Sequence, residues 1–206
     1  VAEACLRHRP HTVFHLAAKA GVRPSFASPE AYRTVNVTGT ANVLDACAKA
    51  GVGHVVFASS SSVYGDSRAL PFRESERCGR PLSPYAETKA AAELLCAEHA
   101  GTTGMPVTCL RLFTVYGPRQ RPDLAIHRFV RAIDAGEPIT IFGDGSSKRD
   151  YTYIDDVVAG MLAAAERPDG FRIFNIGCGS PVTLSDTVQT IEHVLGTTAR
   201  IERLSP

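Results

Sequence analysis

Short apolar runs alternate with longer stretches in which apolar residues recur every three or four positions. Residues 12–17 (Thr12-Val13-Phe14-His15-Leu16-Ala17), 54–58 (His54-Val55-Val56-Phe57-Ala58) and 106–113 predict buried strands. Residues 1–9 predict the end of a helix, and 29–50 and 83–100 predict two long helices, the first closed by Gly51. Beyond Gly117 the pattern changes to a Pro/Arg-rich loop, a helix over 126–135 and a strand over 138–142. A Gly/Ser turn and Arg149-Asp150-Tyr151 follow, then a helix over 156–166, a strand over 171–176 and a helix over 184–195. Short strands separated by long amphipathic helices predict an α/β fold, a doubly wound parallel sheet covered on both faces. No internal repeat interrupts it.

Composition narrows the function classes. The chain has 206 residues, 44% hydrophobic and 21% charged, enough for one good core. Its formal net charge of +1 gives no reason to expect nucleic acid or an anionic membrane as partner, and no apolar run approaches the roughly 20 residues of a membrane span. The first residues lack the pattern of a signal peptide, so a cytoplasmic location is expected. Cys5, Cys47, Cys78, Cys96, Cys109 and Cys178 form no Cys-x-x-Cys pair, and no disulfide is expected. His8, His11 and His15 cluster without a carboxylate or thiol to complete a ligand set, so no metal site is expected.

The segment Ser83-Pro84-Tyr85-Ala86-Glu87-Thr88-Lys89 carries candidate chemistry. Ser83 suits an N-cap and Pro84 the first helical position, which places Tyr85 in the first turn, where the helix dipole favours an anion. Lys89, four residues on, shares its face, so the ammonium also favours the phenolate. A phenol needs such help to act as a base near neutrality, its unperturbed pKa being about 10. The spacing alone equally describes an exposed tyrosine and a solvated lysine. Placement supports the chemical reading: Ala17-Ala18, Ser59 to Ser62 and Phe113-Thr114 each follow a predicted strand, and ligands of doubly wound folds bind beyond the carboxyl ends of strands. A dinucleotide site also needs a glycine-rich turn after the first strand, and the sequence contains none.

These motifs in this order resemble the extended short-chain dehydrogenase/reductase family, specifically its nucleotide-sugar epimerases and dehydratases. His15-Leu16-Ala17-Ala18 is similar to the family's strand-end motif beside the cofactor, Asn36-Val37-Thr38-Gly39-Thr40 to its central-helix motif, and Tyr85-x-x-x-Lys89 to its catalytic pair. Phe57 to Gly65 resembles its serine segment, and Arg149-Asp150-Tyr151 followed by Asp155-Asp156 the segment whose arginine meets the substrate diphosphate. The resemblance implies a Rossmann-like sheet whose N-terminal strands, with the glycine-rich turn, are missing from this chain. It implies a partial NAD-binding domain over 1–113 and 152–176, and a smaller nucleotide-sugar-binding lobe over 114–151 and 177–206. The chain then reads as a fragment that holds NAD poorly by itself.

Positions 61 and 62 choose a subfamily. Dehydratases and decarboxylases of the family carry carboxylates there; this chain has Ser61 and Ser62, which leaves oxidation and reduction at C4. The segments His15 to Arg23 and Arg111 to Asp123 are most similar to those of UDP-glucuronate 4-epimerases. By that resemblance Tyr85, Lys89 and Ser60 are catalytic. Leu16, Ala17, Ala18, Lys19, Asn36, Ser59, Tyr85, Lys89 and Phe113 line the cofactor NAD. Ser60, Ser61, Ser62, Thr114, Arg121, Thr140, Phe142 and Arg149 face the UDP-sugar, with Thr114 and Arg121 on the sugar carboxylate, Arg149 on the diphosphate and 140–142 beside uracil. Plainer readings stand beside these: Asn36 as a bridge between buried polar groups, Phe113 as core packing, and Arg119, Arg121, Arg128 and Arg131 as a solvated basic face or diphosphate clamp. The implied partner is a second subunit packed on the two long helices, with intramolecular burial as the alternative. Two other functions remain open, a UDP-glucose/galactose 4-epimerase and a non-catalytic nucleotide-sugar sensor.

Overall fold

The computed structural model of the chain describes residues 1–76 and 78–205. In chain order its elements are α1 (Ala2–His8), β1 (Thr12–His15), α2 (Val22–Ala27) and α3 (Pro29–Arg33). A π-helical turn (Thr34–Thr38) leads into α4 (Gly39–Lys49), β2 (His54–Ser60), a 3-10 turn (Ser61–Tyr64), α5 (Pro84–Thr103) and β3 (Val107–Leu112). Then come β4 (Thr114–Tyr116), α6 (Ala125–Asp134), β5 (Ile139–Phe142), β6 (Lys148–Arg149), β7 (Tyr151–Tyr153) and α7 (Ile154–Ala165). The chain continues through β8 (Phe171–Ile176), β9 (Val182–Thr183), α8 (Leu184–Leu195) and β10 (Ile201–Leu204).

The chain divides into two compact units. The first holds Val1–Phe113 and Val157–Ile176, the second Thr114–Asp156 and Gly177–Pro206. Thr152 falls in the second unit because β7 pairs with β4 in parallel, Thr114 opposite Tyr151 and Val115 opposite Thr152.

The first unit is built on a fully parallel sheet in the order β1-β2-β3-β8. The first six residues of β2 are buried, as expected of a central strand covered on both faces. Val55, Phe57, Val107 and Cys109 pack with Leu44 and Cys47 of α4 and Ala92, Cys96 and Ala100 of α5. On the opposite face His54 bonds Thr108 at 2.9 Å and meets the carbonyl of Ala165 in α7. A Cβ on Gly160 would stand 2.9 Å from Ile176 Cδ1, so glycine lets α7 approach β8 closely. This is the Rossmann-like α/β arrangement that the sequence predicts.

The predicted helix over 29–50 is continuous but not uniform, since Gly39 N–H reaches back five residues to Thr34 C=O. The hydroxyl of Thr40 donates to Asn36 C=O at 2.6 Å, so a side chain takes up a carbonyl within the wider turn. The second unit contains three two-stranded ladders, β10-β5, β4-β7 and β6-β9. Its core joins Phe129 and Ile133 of α6, Ile139 and Ile141 of β5, and Val188 and Ile191 of α8. Helix α8 opens on a capping box in which Thr183 and Asp186 satisfy each other's backbone N–H.

Gly65 closes the 3-10 turn at φ 58°, where a Cβ would lie 2.1 Å from Arg80 C=O. Left-handed strain and a backbone clash therefore coincide. Gly65→Ala is expected to destabilise the protein by roughly 3 kcal/mol or more, measured as a lowered denaturant midpoint. A cost under about 1 kcal/mol would mean that the neighbouring segment moves freely.

Candidate active site

Helix α5 begins where the sequence places it. Ser83 accepts a hydrogen bond from Ala86 N–H at 3.1 Å and Pro84 occupies the first helical position. Tyr85 thereby stands half-buried in the first turn, its ring edge-on to that of Tyr32 with centroids 6.3 Å apart. Tyr32 is itself fixed, since it is 2% exposed and donates to Ala20 C=O at 2.9 Å.

Lys89, one turn on, is only 4% exposed, so the solvated-lysine reading fails. Its Nζ donates to Ala58 C=O at 2.6 Å and lies 4.8 Å from the centre of the Phe57 ring. Burial lowers its pKa to about 8, against the opposing pull of Cys96, Cys109 and Glu93.

The serine segment divides its labour. Ser60 caps the 3-10 turn, and its Oγ accepts from Ser62 N–H at 3.2 Å and from Ser62 Oγ at 2.9 Å. With its lone pairs so engaged, the Ser60 proton is available for donation outward. Ser62, expected on the substrate, spends its hydroxyl proton on Ser60; Ser61 is half-buried beside it. The Ser59 hydroxyl turns inward and donates to Glu93, leaving only the backbone of Ser59 to meet a cofactor.

Beyond β1, Leu16, Ala17 and Lys19 are exposed and Ala18 is half-buried. Asn36 fastens this segment: its Oδ1 accepts Lys19 N–H at 2.8 Å, and its Nδ2 donates to Lys19 C=O and Thr88 Oγ1, each at 3.0 Å. Asn36 is 2% exposed, so it acts on the site as the bridge between the strand end and α5 rather than by presenting a free group. Thr88 continues the tie to Tyr85 C=O at 2.9 Å. Phe113 lies past the end of β3 against Phe72, which stacks on Tyr64 with centroids 4.3 Å apart.

His15 Nε2 meets Thr40 Oγ1 at 3.0 Å. The single Thr40 proton goes to Asn36 C=O, so His15 must donate, which assigns its proton to Nε2. Burial, and then the Lys89 charge, push the His15 pKa down to about 4.

In the second unit, Thr114 is half-buried and its N–H bonds Asp150 C=O at 3.0 Å. Arg121 is exposed and pairs with Asp123 at 3.0 Å. Such surface pairs are worth under about 1 kcal/mol, so this guanidinium can exchange partners. Thr140 and Phe142 project from β5 on the side opposite the buried Ile139 and Ile141. Arg149 is exposed in the β6-β9 ladder, and Asp150 accepts Cys178 N–H and Gly179 N–H, each at 2.8 Å.

Sequence reasoning missed the ion pair beneath the site. Glu93 of α5 accepts Arg111 Nε at 3.0 Å and Nη2 at 2.8 Å, with both side chains under 10% exposed. Burial opposes the Arg111 charge, but the Glu93 bonds raise its pKa above the ordinary guanidinium value. A charged residue inside the otherwise apolar Val107-Thr108-Cys109-Leu110-Arg111-Leu112 was the available signal.

A parallel sheet whose strand ends carry small residues, a hydroxyl donor and a Tyr-x-x-x-Lys helix is the arrangement of the dehydrogenase/reductase class. The match to the NAD dependent epimerase/dehydratase family, over residues 1–177, makes the chain a member of that family. It is 43% identical over 194 residues to a UDP-glucuronate 4-epimerase of Thermodesulfobacterium geofontis, covering 94% of this chain and 59% of the relative. A solved UDP-glucuronic acid 4-epimerase from Bacillus cereus, in complex with UDP-glucuronic acid and NAD, superposes with a TM-score of 0.92 at 37% identity, covering 99% of this chain and 65% of that one. The UDP-glucose 4-epimerase of Thermotoga maritima with UDP-glucose gives 0.94 at 34% identity, covering 100% and 67%. The chain thus spans less than two thirds of the length of the Thermodesulfobacterium geofontis relative and of other curated relatives it matches.

Among the described residues no helix is long and apolar enough to cross a membrane, and no cluster of three metal-ligating side chains occurs.

The depressed pKa of His15 has a definite sign. The unfolded chain binds a proton near pH 6.5 that the folded chain refuses until about pH 4. Stability should therefore fall as pH drops through that window, by roughly 3 kcal/mol, and be unaffected by His15 above it. Urea midpoints at pH 7 and pH 4.5, compared with those of His15→Gln, should show a smaller acid loss in the variant; equal losses would refute the assignment.

Proposed function

We propose that the protein catalyses 4-epimerisation of a UDP-sugar, UDP-glucuronate to UDP-galacturonate. The observation that carries this reading is the capped helix that sets Tyr85 in its first turn and buries Lys89 one turn later, beside a strand end where Ser60 has a proton to give. The relatives named as UDP-glucuronate 4-epimerases support it.

The exposed, small-residue segment Leu16-Ala17-Ala18-Lys19, held open by Asn36, fits the flat face of a dinucleotide. Together with the Ser59 backbone, Lys89 and Phe113 it would hold NAD, which when bound supplies the hydride acceptor and donor. Tyr85, as phenolate, takes the proton of the sugar 4-hydroxyl and later returns it. Ser60 hydrogen-bonds the same oxygen and steadies the charge that develops there. The Lys89 ammonium favours the phenolate and is placed to bind a cofactor ribose hydroxyl.

Ser61 and Ser62 supply no carboxylate, so these two positions offer no acid and base to drive elimination at the neighbouring carbon. In the second unit Arg149 anchors the diphosphate, with Thr140 and Phe142 beside the uracil. Thr114 and Arg121 hold the sugar carboxylate; a guanidinium grips a carboxylate by two parallel charge-assisted bonds. That grip matters because a C4 ketone makes the C5 carboxylate part of a β-keto acid. Decarboxylation follows if the breaking bond lines up with the carbonyl π system, and a held carboxylate cannot turn into line.

We further assign the protein to the cytoplasm and to a homodimer through 29–50 and 83–100, where Val35 and Leu94 stand 41% and 72% exposed.

The test uses the protein expressed from the whole reading frame that encodes these residues. Tyr85→Phe should lower interconversion of UDP-glucuronate and UDP-galacturonate by about 10²–10⁴-fold; undiminished turnover would end the proposal. Arg121→Ala should impair glucuronate turnover at least about 10-fold more than any turnover of UDP-glucose. Equal losses on both sugars would instead favour the neutral-sugar epimerase that the Thermotoga maritima likeness allows.

A further inference from the structure

The inner face of α5 carries one more buried charge that the proton chemistry leaves unused. Glu93 lies one turn beyond Lys89 and two beyond Tyr85, and is 6% exposed. Both its oxygens are taken by Arg111 of β3, and it also accepts the hydroxyl of Ser59 in β2. Ser59 adjoins Ser60 in the chain, and Lys89 is bonded to the residue before Ser59, Ala58. Two successive turns of α5 therefore grip two successive residues of the strand that ends in Ser60.

A carboxylate that served only to neutralise Arg111 would need no contact with β2. We propose that Glu93 is a positioning residue for the assigned reaction: it registers Tyr85 and Lys89 of α5 against Ser60 of β2, and holds a negative charge one helical turn from the Lys89 ammonium. The inference rests on the proposed epimerase reading for the identity of the oxygen that Tyr85 and Ser60 serve. Among the described residues, the groups whose charges act on Lys89 are Cys96 and Glu93 on its own helix and Cys109 of β3, and His15 of β1 feels the Lys89 charge in turn. Glu93 is the one carboxylate among these, and after Cys96 and Cys109 it too opposes the cost of burying the Lys89 charge.

Two variants in the whole-reading-frame protein separate charge from reach. Glu93→Gln keeps an acceptor for Ser59 and removes the charge. It should lower kcat about 10- to 100-fold with KM for the UDP-sugar within about threefold, and shift the alkaline limb of the kcat profile down by about one pH unit. Glu93→Asp keeps the charge but shortens the side chain, so kcat should fall with the limb in place. Should Glu93→Gln not fold, Ser59→Ala cuts the tie to β2 alone and should lower kcat with KM and limb unmoved; wild-type kcat in Ser59→Ala overturns the positioning role. An unmoved limb in Glu93→Gln, with kcat falling only as thermal stability falls, overturns the charge role. NMR titration of the Lys89 amine, assigned with Lys89→Met, needs no sugar chemistry and should show the same downward shift in Glu93→Gln. If the amine shifts but the wild type interconverts no UDP-sugar, the epimerase reading fails and the charge role of Glu93 stands; if the wild type is active and the amine does not shift, the charge role fails.

Discussion

An ammonium enclosed in an apolar helix–sheet interface is the constraint around which the first unit is organised. Lys89 cannot leave for solvent, and an unpaired charge at 4% exposure would be costly. The structure meets that demand with the Ala58 carbonyl and the face of Phe57. Both partners belong to β2 and so fix α5 against it. The stabilisation of the lysine and the aim of Tyr85 are consequently one problem with one solution.

The same economy governs the other strand ends. Asn36 uses its whole amide on Lys19 and Thr88, joining the segment after β1 to the helix that bears Tyr85. The wider π turn around it places that side chain, and Thr40 occupies its carbonyl while receiving the proton of His15. Asn36 and Thr40, at 2% and 1% exposure, are thus tied to each other and to their neighbours rather than held in reserve.

Much of this was legible in the chain. Ser83 and Pro84 announce the start of α5, and the apolar runs after Pro106 and Asp169 give β3 and β8 within a residue of their observed limits. Local rules reach that far because caps and strand runs are written in adjacent residues. The short ladders β4-β7, β6-β9 and β5-β10 were not foreseen in full, since two- to four-residue strands owe their existence to distant partners. The serine run shows the same limit at the site. All of its hydroxyls look equivalent in sequence, and only packing turns Ser59 inward to Glu93 and sets Ser62 to orient Ser60. Glu93 escaped because it looks ordinary on an alanine-rich helix, and the charge of Arg111 inside its strand gave a hint of a buried partner without naming it.

The excursion from Asp66 to Arg80 is closed at its neck, with Asp66 N–H on Arg80 C=O and Gly79 N–H on Tyr64 C=O, both at 3.1 Å. Farther out, Phe72 stacks on Tyr64 and Glu74 accepts Asn175 N–H. A loop with its own clasp is mechanically insulated from the elements on either side. Its tip, around Arg68 to Leu70, can therefore be lengthened or rewritten while the serine turn and the tyrosine helix it connects keep their places.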